Sequence, residues 1–161
     1  MDQNQECILM NVKLWDDCIH FGGILDENEE YRFRRFFAIL ADEALGTQLK
    51  NMGLSIRVRK TPKNRLSRYP VLMHVAVDYD LIVPEVEAVI GSRTIPLDEI
   101  TIGCLDSMII DYANLVIIPV DDQDAVTGTT YRHAYLKSMQ IYLKSFQEAW
   151  YKSMLEDEEH F

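Results

Sequence analysis

His74, Asp78 and Asp80 stand at even positions of one stretch, where Val71, Met73, Val75, Val77 and Tyr79 occupy the odd ones. On a strand, period two puts all three polar side chains on one face. An imidazole and two carboxylates so placed could hold Mg²⁺ or Mn²⁺ for phosphoryl transfer, with Glu85 and Glu87 completing the set. The same row also describes the wet face of a sheet whose other face is Val and Met, which is the commoner origin of such alternation. No glycine-serine motif precedes Asp78-x-Asp80, as a nucleotidyltransferase would require.

A second feature is electrostatic. Six of the sixteen Lys and Arg residues, Arg57, Arg59, Lys60, Lys63, Arg65 and Arg68, fall between positions 57 and 68 of a chain whose formal net charge is -10. The overall acidity argues against a surface built mainly to coat nucleic acid, since phosphate contacts come from Lys and Arg. The basic stretch is the exception through which nucleic acid could be held, although Tyr69 is its one adjacent aromatic for base stacking. A solvated hairpin and contact with an acidic protein surface are equal readings that rank ahead of nucleic acid, and the chain carries such a surface in Glu156, Asp157, Glu158 and Glu159.

Other candidates carry less. Asp121, Asp122 and Asp124 resemble the start of a calcium loop, but Val126 occupies the place of the third oxygen ligand and no Glu closes twelve residues. Cys18 and His20 would point in different directions on a helix. Cys7, Cys18 and Cys104 are odd in number and widely spaced, which reads as buried free thiols without a metal motif. Walker, dinucleotide, serine-hydrolase and zinc-protease patterns are all missing, so no cofactor is expected.

The elements that must position these residues follow from periodicity. Residues 7–21 fit helix and strand alike, with a lean to helix. Phe33, Phe36, Phe37, Leu40, Ala41, Leu45, Leu49 and Met52 recur at steps of three and four, which predicts a Phe-rich helix over 28–52 ended by Gly53. Strands are expected near 54–60, 70–80, 86–90 and 115–119, and Pro96, Leu97 and Asp98 resemble a helix entry. Tyr131, Tyr135, Met139, Tyr142, Phe146 and Trp150 predict a long C-terminal helix over 129–155.

This pattern predicts a single α+β domain over 1–161, a small, mainly antiparallel sheet packed by the two helices, with an acidic tail at 156–161. The length suits one domain that needs no disulfides. No apolar run reaches a membrane span, and the polar MDQNQE start is unlike a signal peptide, so a cytoplasmic or virion location is expected. By class-level analogy for a small, acidic chain that lacks motifs, the reading is a non-enzymatic structural subunit of a larger complex, such as a phage neck or tail-completion component, joined to other protein subunits or to copies of itself. A metal-dependent phosphodiester enzyme using His74, Asp78 and Asp80 is one alternative. A small inhibitor-type binding module is the other.

Overall fold

Leu9, Val12 and Leu14 are buried between exposed neighbours, so Cys7–Leu14 is a half-buried strand, β1, and not the helix towards which its apolar spacing leans. The computed structural model describes residues 6–15, 18–25, 32–40, 43–58, 71–123 and 125–144. After β1 come β2 (His20–Leu25), β3 (Arg32–Leu40), α1 (Glu43–Asn51), β4 (Ile56–Val58), β5 (Val71–Val77), β6 (Glu85–Ile90) and β7 (Arg93–Leu97). A 3₁₀ turn over Ile102–Ser107 then leads into the two longest strands, β8 (Ile110–Gln123) and β9 (Thr130–Leu143).

Five of these strands close on themselves. β5, β3, β1, β8 and β9 pair antiparallel in that order, and β9 returns to β5 as a parallel neighbour through Val75–Ala134 and Ala76–Tyr135. Closure gives each of the five ring strands a neighbour on both sides, so among the described residues the open edges fall on outlying strands. β6 runs parallel to the later part of β9 and carries β7, while β4 borders β5 and β2 borders β3. A bulge between Leu9 and Val12, with Asn11 at φ 55°, turns β1 so that its first part pairs with β8 and its end with β3.

Inward positions fill the barrel: Phe36, Met73, Val75, Leu115, Ile117, Leu136 and Ile141 are each wholly buried. Helix α1 lies against β5 at Gly46, where an added Cβ would stand 2.8 Å from Val71 Cγ1. The 3₁₀ turn adds Ile102 and Leu105 to the core. From the same turn, the Asp106 carboxylate accepts the backbone N–H groups of Phe21 and Gly22 at 2.8 and 2.9 Å.

The expected α+β architecture is thus replaced by a mainly-β one. Thr130–Leu143 is a strand, which overturns the C-terminal helix, and residues 145–155 of that expectation lie outside the described ones. Its misleading spacing has a local cause. Val116 pairs with Ser138 and Ile117 with Leu136, so Lys137 is an extra residue, and the inward series steps from Leu136 to Met139 instead of to Ser138. One such step of three inside an alternation imitates a helical stripe.

The Phe-rich helix over 28–52 is overturned too, because Arg32–Leu40 is a strand and only Glu43–Asn51 is helical. β3 has apolar residues on both faces, Phe36, Ala38 and Leu40 inward and Phe37 and Ile39 outward, so every spacing occurs, three and four included. The expected helix entry at Pro96 is the end of β7. The stretches near 54–60, 70–80 and 86–90 contain β4, β5 and β6, and 115–119 is the middle of the much longer β8. Among the described residues no helix is long and apolar enough to cross a membrane.

Candidate functional site

The outer face of β3, β5 and β9 collects side chains that the interior rejects. Inward Phe36, Val75 and Ala134 fix the phase, so Phe33, Arg35 and Phe37 of β3, His74 and Ala76 of β5, and Tyr131, His133 and Tyr135 of β9 all face outward. Register then sets the rows. Arg35 is opposite Ala76, and Ala76 is opposite Tyr135, so the smallest side chain of the face lies between a guanidinium and a phenol. The result is a cleft of about 120 Å³ lined by Phe33, Arg35, His74, Ala76, Asp78 and Tyr135.

Arg35 is the chemically notable member. Its guanidinium lies 5.5 Å from the centroid of the Phe33 ring. Its Nε is buried without a hydrogen-bond partner, an uncommon state for a charged donor and one an anionic oxygen would relieve. Among the described residues no carboxylate forms an ion pair with it. Asp78, the acid in the cleft lining, accepts the Asp80 N–H at 3.0 Å in a local turn.

Beside the cleft, alternate positions of β9 present a ladder of rings. His133 has Tyr131 and Tyr135 on either side, each 6.4 Å away between centroids, and Tyr131 is 48% exposed. The Tyr131 ring is tilted 35° to His133, the Tyr135 ring is edge-on to it at 81°, and His133 and Tyr135 are partly buried; aromatic side chains on a strand face are a common means of holding nucleobases. Towards β1 the same face becomes dry, where Trp15, Phe37 and Leu72 form a small buried cluster apart from the main core. The Phe37 ring meets His74 edge-on at 5.3 Å.

The start of the ladder is anchored. Arg132 Nε donates to Asp121 Oδ1 across the β8–β9 hairpin at 2.8 Å, and Arg132 Nη1 donates to the Met52 carbonyl at the end of α1 at 2.8 Å. The hydrogen bond from Arg132 holds the Asp121 carboxyl below its ordinary pKa and raises that of Arg132. Gly128, at φ 73°, lets the hairpin turn, and its carbonyl accepts the Gln123 side-chain amide at 3.1 Å.

The residues singled out from sequence are distributed differently. His74 is on the barrel face, whereas Asp78 and Asp80 lie in the turn after β5, beyond its last residue Val77. Among the described residues no group of three His, Cys, Asp or Glu side chains could hold a metal ion. Arg57 belongs to β4 opposite Leu72, and its side chain lies outside the described part. Arg59, Lys60, Lys63, Arg65, Arg68, Glu156, Asp157, Glu158 and Glu159 also lie outside it. Cys18 is exposed, against the expectation of three buried thiols, while Cys7 and Cys104 are half-buried and burial raises their thiols above the usual pKa.

Arg35 and the Tyr131, His133, Tyr135 ladder are invisible in the sequence because the spacing in both segments predicts helices. A signal was present in the run from Val116 to Val120 and the run from Thr129 to Tyr131, rich in β-branched and aromatic residues and joined by a Gly-containing turn, which is the composition of a hairpin. Comparison with known proteins found no matching family model and no curated protein that resembles the chain.

Proposed function

We propose that this barrel binds single-stranded nucleic acid along the outer face of β3, β5 and β9, with Arg35 meeting a backbone phosphate and Tyr131, His133 and Tyr135 stacking bases. The observation that carries the reading is the buried, unpartnered Arg35 Nε in a cleft that adjoins the three-ring ladder. A nucleotide presents a phosphate and a base joined through its sugar, and the face offers one kind of contact for each of these two groups. The closed five-stranded ring, with its parallel β5–β9 contact, resembles the Greek-key barrel of OB-folds, whose central strand face commonly takes oligonucleotides. Fold analogy is secondary support here. Stacking does not conflict with a net charge of -10, because it acts through the ring face and needs no dense field of cations.

Fluorescence anisotropy of a labelled, mixed-sequence oligonucleotide tests this. Single strands should bind at low salt and compete far better than the same sequence as duplex, in which the base faces are already stacked. Absence of binding at high micromolar protein would refute the reading, as would equal affinity for duplex.

The sequence-derived expectation of a non-enzymatic assembly subunit, in a virion or another particle, stands as a second reading. It is supported by the exposed Ile8 and Met10, 66% and 62% accessible, on a different face of the barrel.

A further inference from the structure

The opposite wall of the barrel carries a graded surface. Ile8 of β1 pairs with Val116 of β8, Val116 with Ser138 of β9, and Ser138 with Glu85 of β6. In the next row Asn114 pairs with Gln140, and Gln140 with Glu87. Each outward row therefore ends at a carboxylate on β6, and the first runs from an apolar side chain on β1 through a polar one to that acid. Together with Met10 these residues line an open groove of about 340 Å³, whose lining contains no Lys, Arg or His. An isolated exposed Ile or Met needs no explanation, but two of them facing a groove rimmed by carboxylates form a site for an apolar and basic segment.

We infer that this groove takes residues 59–70 of a second copy of the chain. That segment supplies the required chemistry: Arg59, Lys60, Lys63, Arg65 and Arg68 are interspersed with Pro62, Leu66 and Tyr69. The acidic run Glu156 to Glu159 is ruled out as the occupant by like charge with Glu85 and Glu87. Residues 59–70 connect β4 to β5, and neither of those strands lines the groove, which lies over β1, β8, β9 and β6. The contact thus joins two different surfaces of identical subunits. Such a head-to-tail interface leaves a free groove and a free basic segment on every dimer, so it propagates into a ring or a filament.

Sedimentation velocity of the full chain, freed of nucleic acid and followed from micromolar to near-millimolar concentration, tests the inference. The wild type should form concentration-dependent oligomers that dissociate as salt rises. The pair Glu85→Lys and Glu87→Lys should weaken association by roughly tenfold or more, and so should the pair Lys63→Glu and Arg65→Glu. All four positions are charged surface residues or lie outside the described part, and unchanged melting temperatures would show that the fold is intact. Mixing the two variants should restore assembly, because each reversed groove then meets a reversed segment and each native groove a native one. A wild type that stays monomeric overturns the inference, as does association indifferent to Glu85→Lys and Glu87→Lys. Failure of the mixture to reassemble overturns the pairing with residues 59–70. Arg35→Met should leave assembly unchanged, which separates this result from the nucleic-acid reading.

Discussion

Replacing Arg35 by methionine removes the guanidinium while keeping an unbranched apolar stem to lie over Phe33. In the free barrel the buried Nε has no hydrogen-bond partner and the Phe33 contact offsets only part of that cost, so its removal should leave stability nearly unchanged or raise it. Binding should respond in the opposite direction. A hydrogen bond to a charged group contributes about 1.5–3 kcal/mol, so Arg35→Met should weaken oligonucleotide affinity by roughly 10- to 150-fold. Because one phosphate contact is lost, the slope of log affinity against log salt should fall in magnitude by about 0.7. Anisotropy titrations at several salt concentrations give both numbers, and urea denaturation gives the stability. A clearly destabilised variant would mean that Arg35 holds the barrel together and that its unpartnered state was misjudged. An intact variant with unchanged affinity and slope would refute the phosphate role outright.

Three further outcomes are expected. Tyr135→Ala should reduce single-strand affinity by about 1–3 kcal/mol with little change in salt slope, whereas Tyr135→Phe, which keeps the ring, should retain most of it; the same anisotropy assay separates them. Gly46→Ala should destabilise the protein by about 1–3 kcal/mol in urea denaturation, although alanine is the better helix former, because the new Cβ would crowd the stiff, β-branched Val71 at 2.8 Å. The Asp121 carboxyl has a depressed pKa when folded, so its contribution is present above the unfolded value near ~3.9 and is lost as pH falls through the folded one. Asp121→Asn should remove that part of the acid sensitivity, seen as a shallower fall of the urea midpoint between neutral and strongly acidic pH.

How much could be read beforehand differs from strand to strand. β5 is legible because Val71, Met73, Val75 and Val77 recur at every second position, with only Leu72 adding an apolar residue to the other face beside His74 and Ala76. β9 is not, since the extra residue at Lys137 changes the inward phase halfway along and the resulting spacing matches a helix. β3 is hidden by apolar side chains on both faces, a pattern that carries no period. The site is less legible still. Arg35, Ala76 and Tyr135 are brought into one row by the β3–β5 and β5–β9 pairings, across separations of 41 and 59 positions.

Taken alone, the sequence determines local matters: where Gly53 permits a turn, which positions of β5 face inward, and that basic charge gathers between 57 and 68 while the whole is acidic. These depend on neighbours a few residues away, so a short window contains their cause. The tertiary structure alone decides that the strands close into a ring and that β9 lies parallel to both β5 and β6. It also decides that the Arg35 guanidinium comes to line one cleft with Tyr135 from another strand. Pairing register is set by burial of the whole interior, a free energy summed over every strand, and no segment carries enough of it to reveal the outcome by itself.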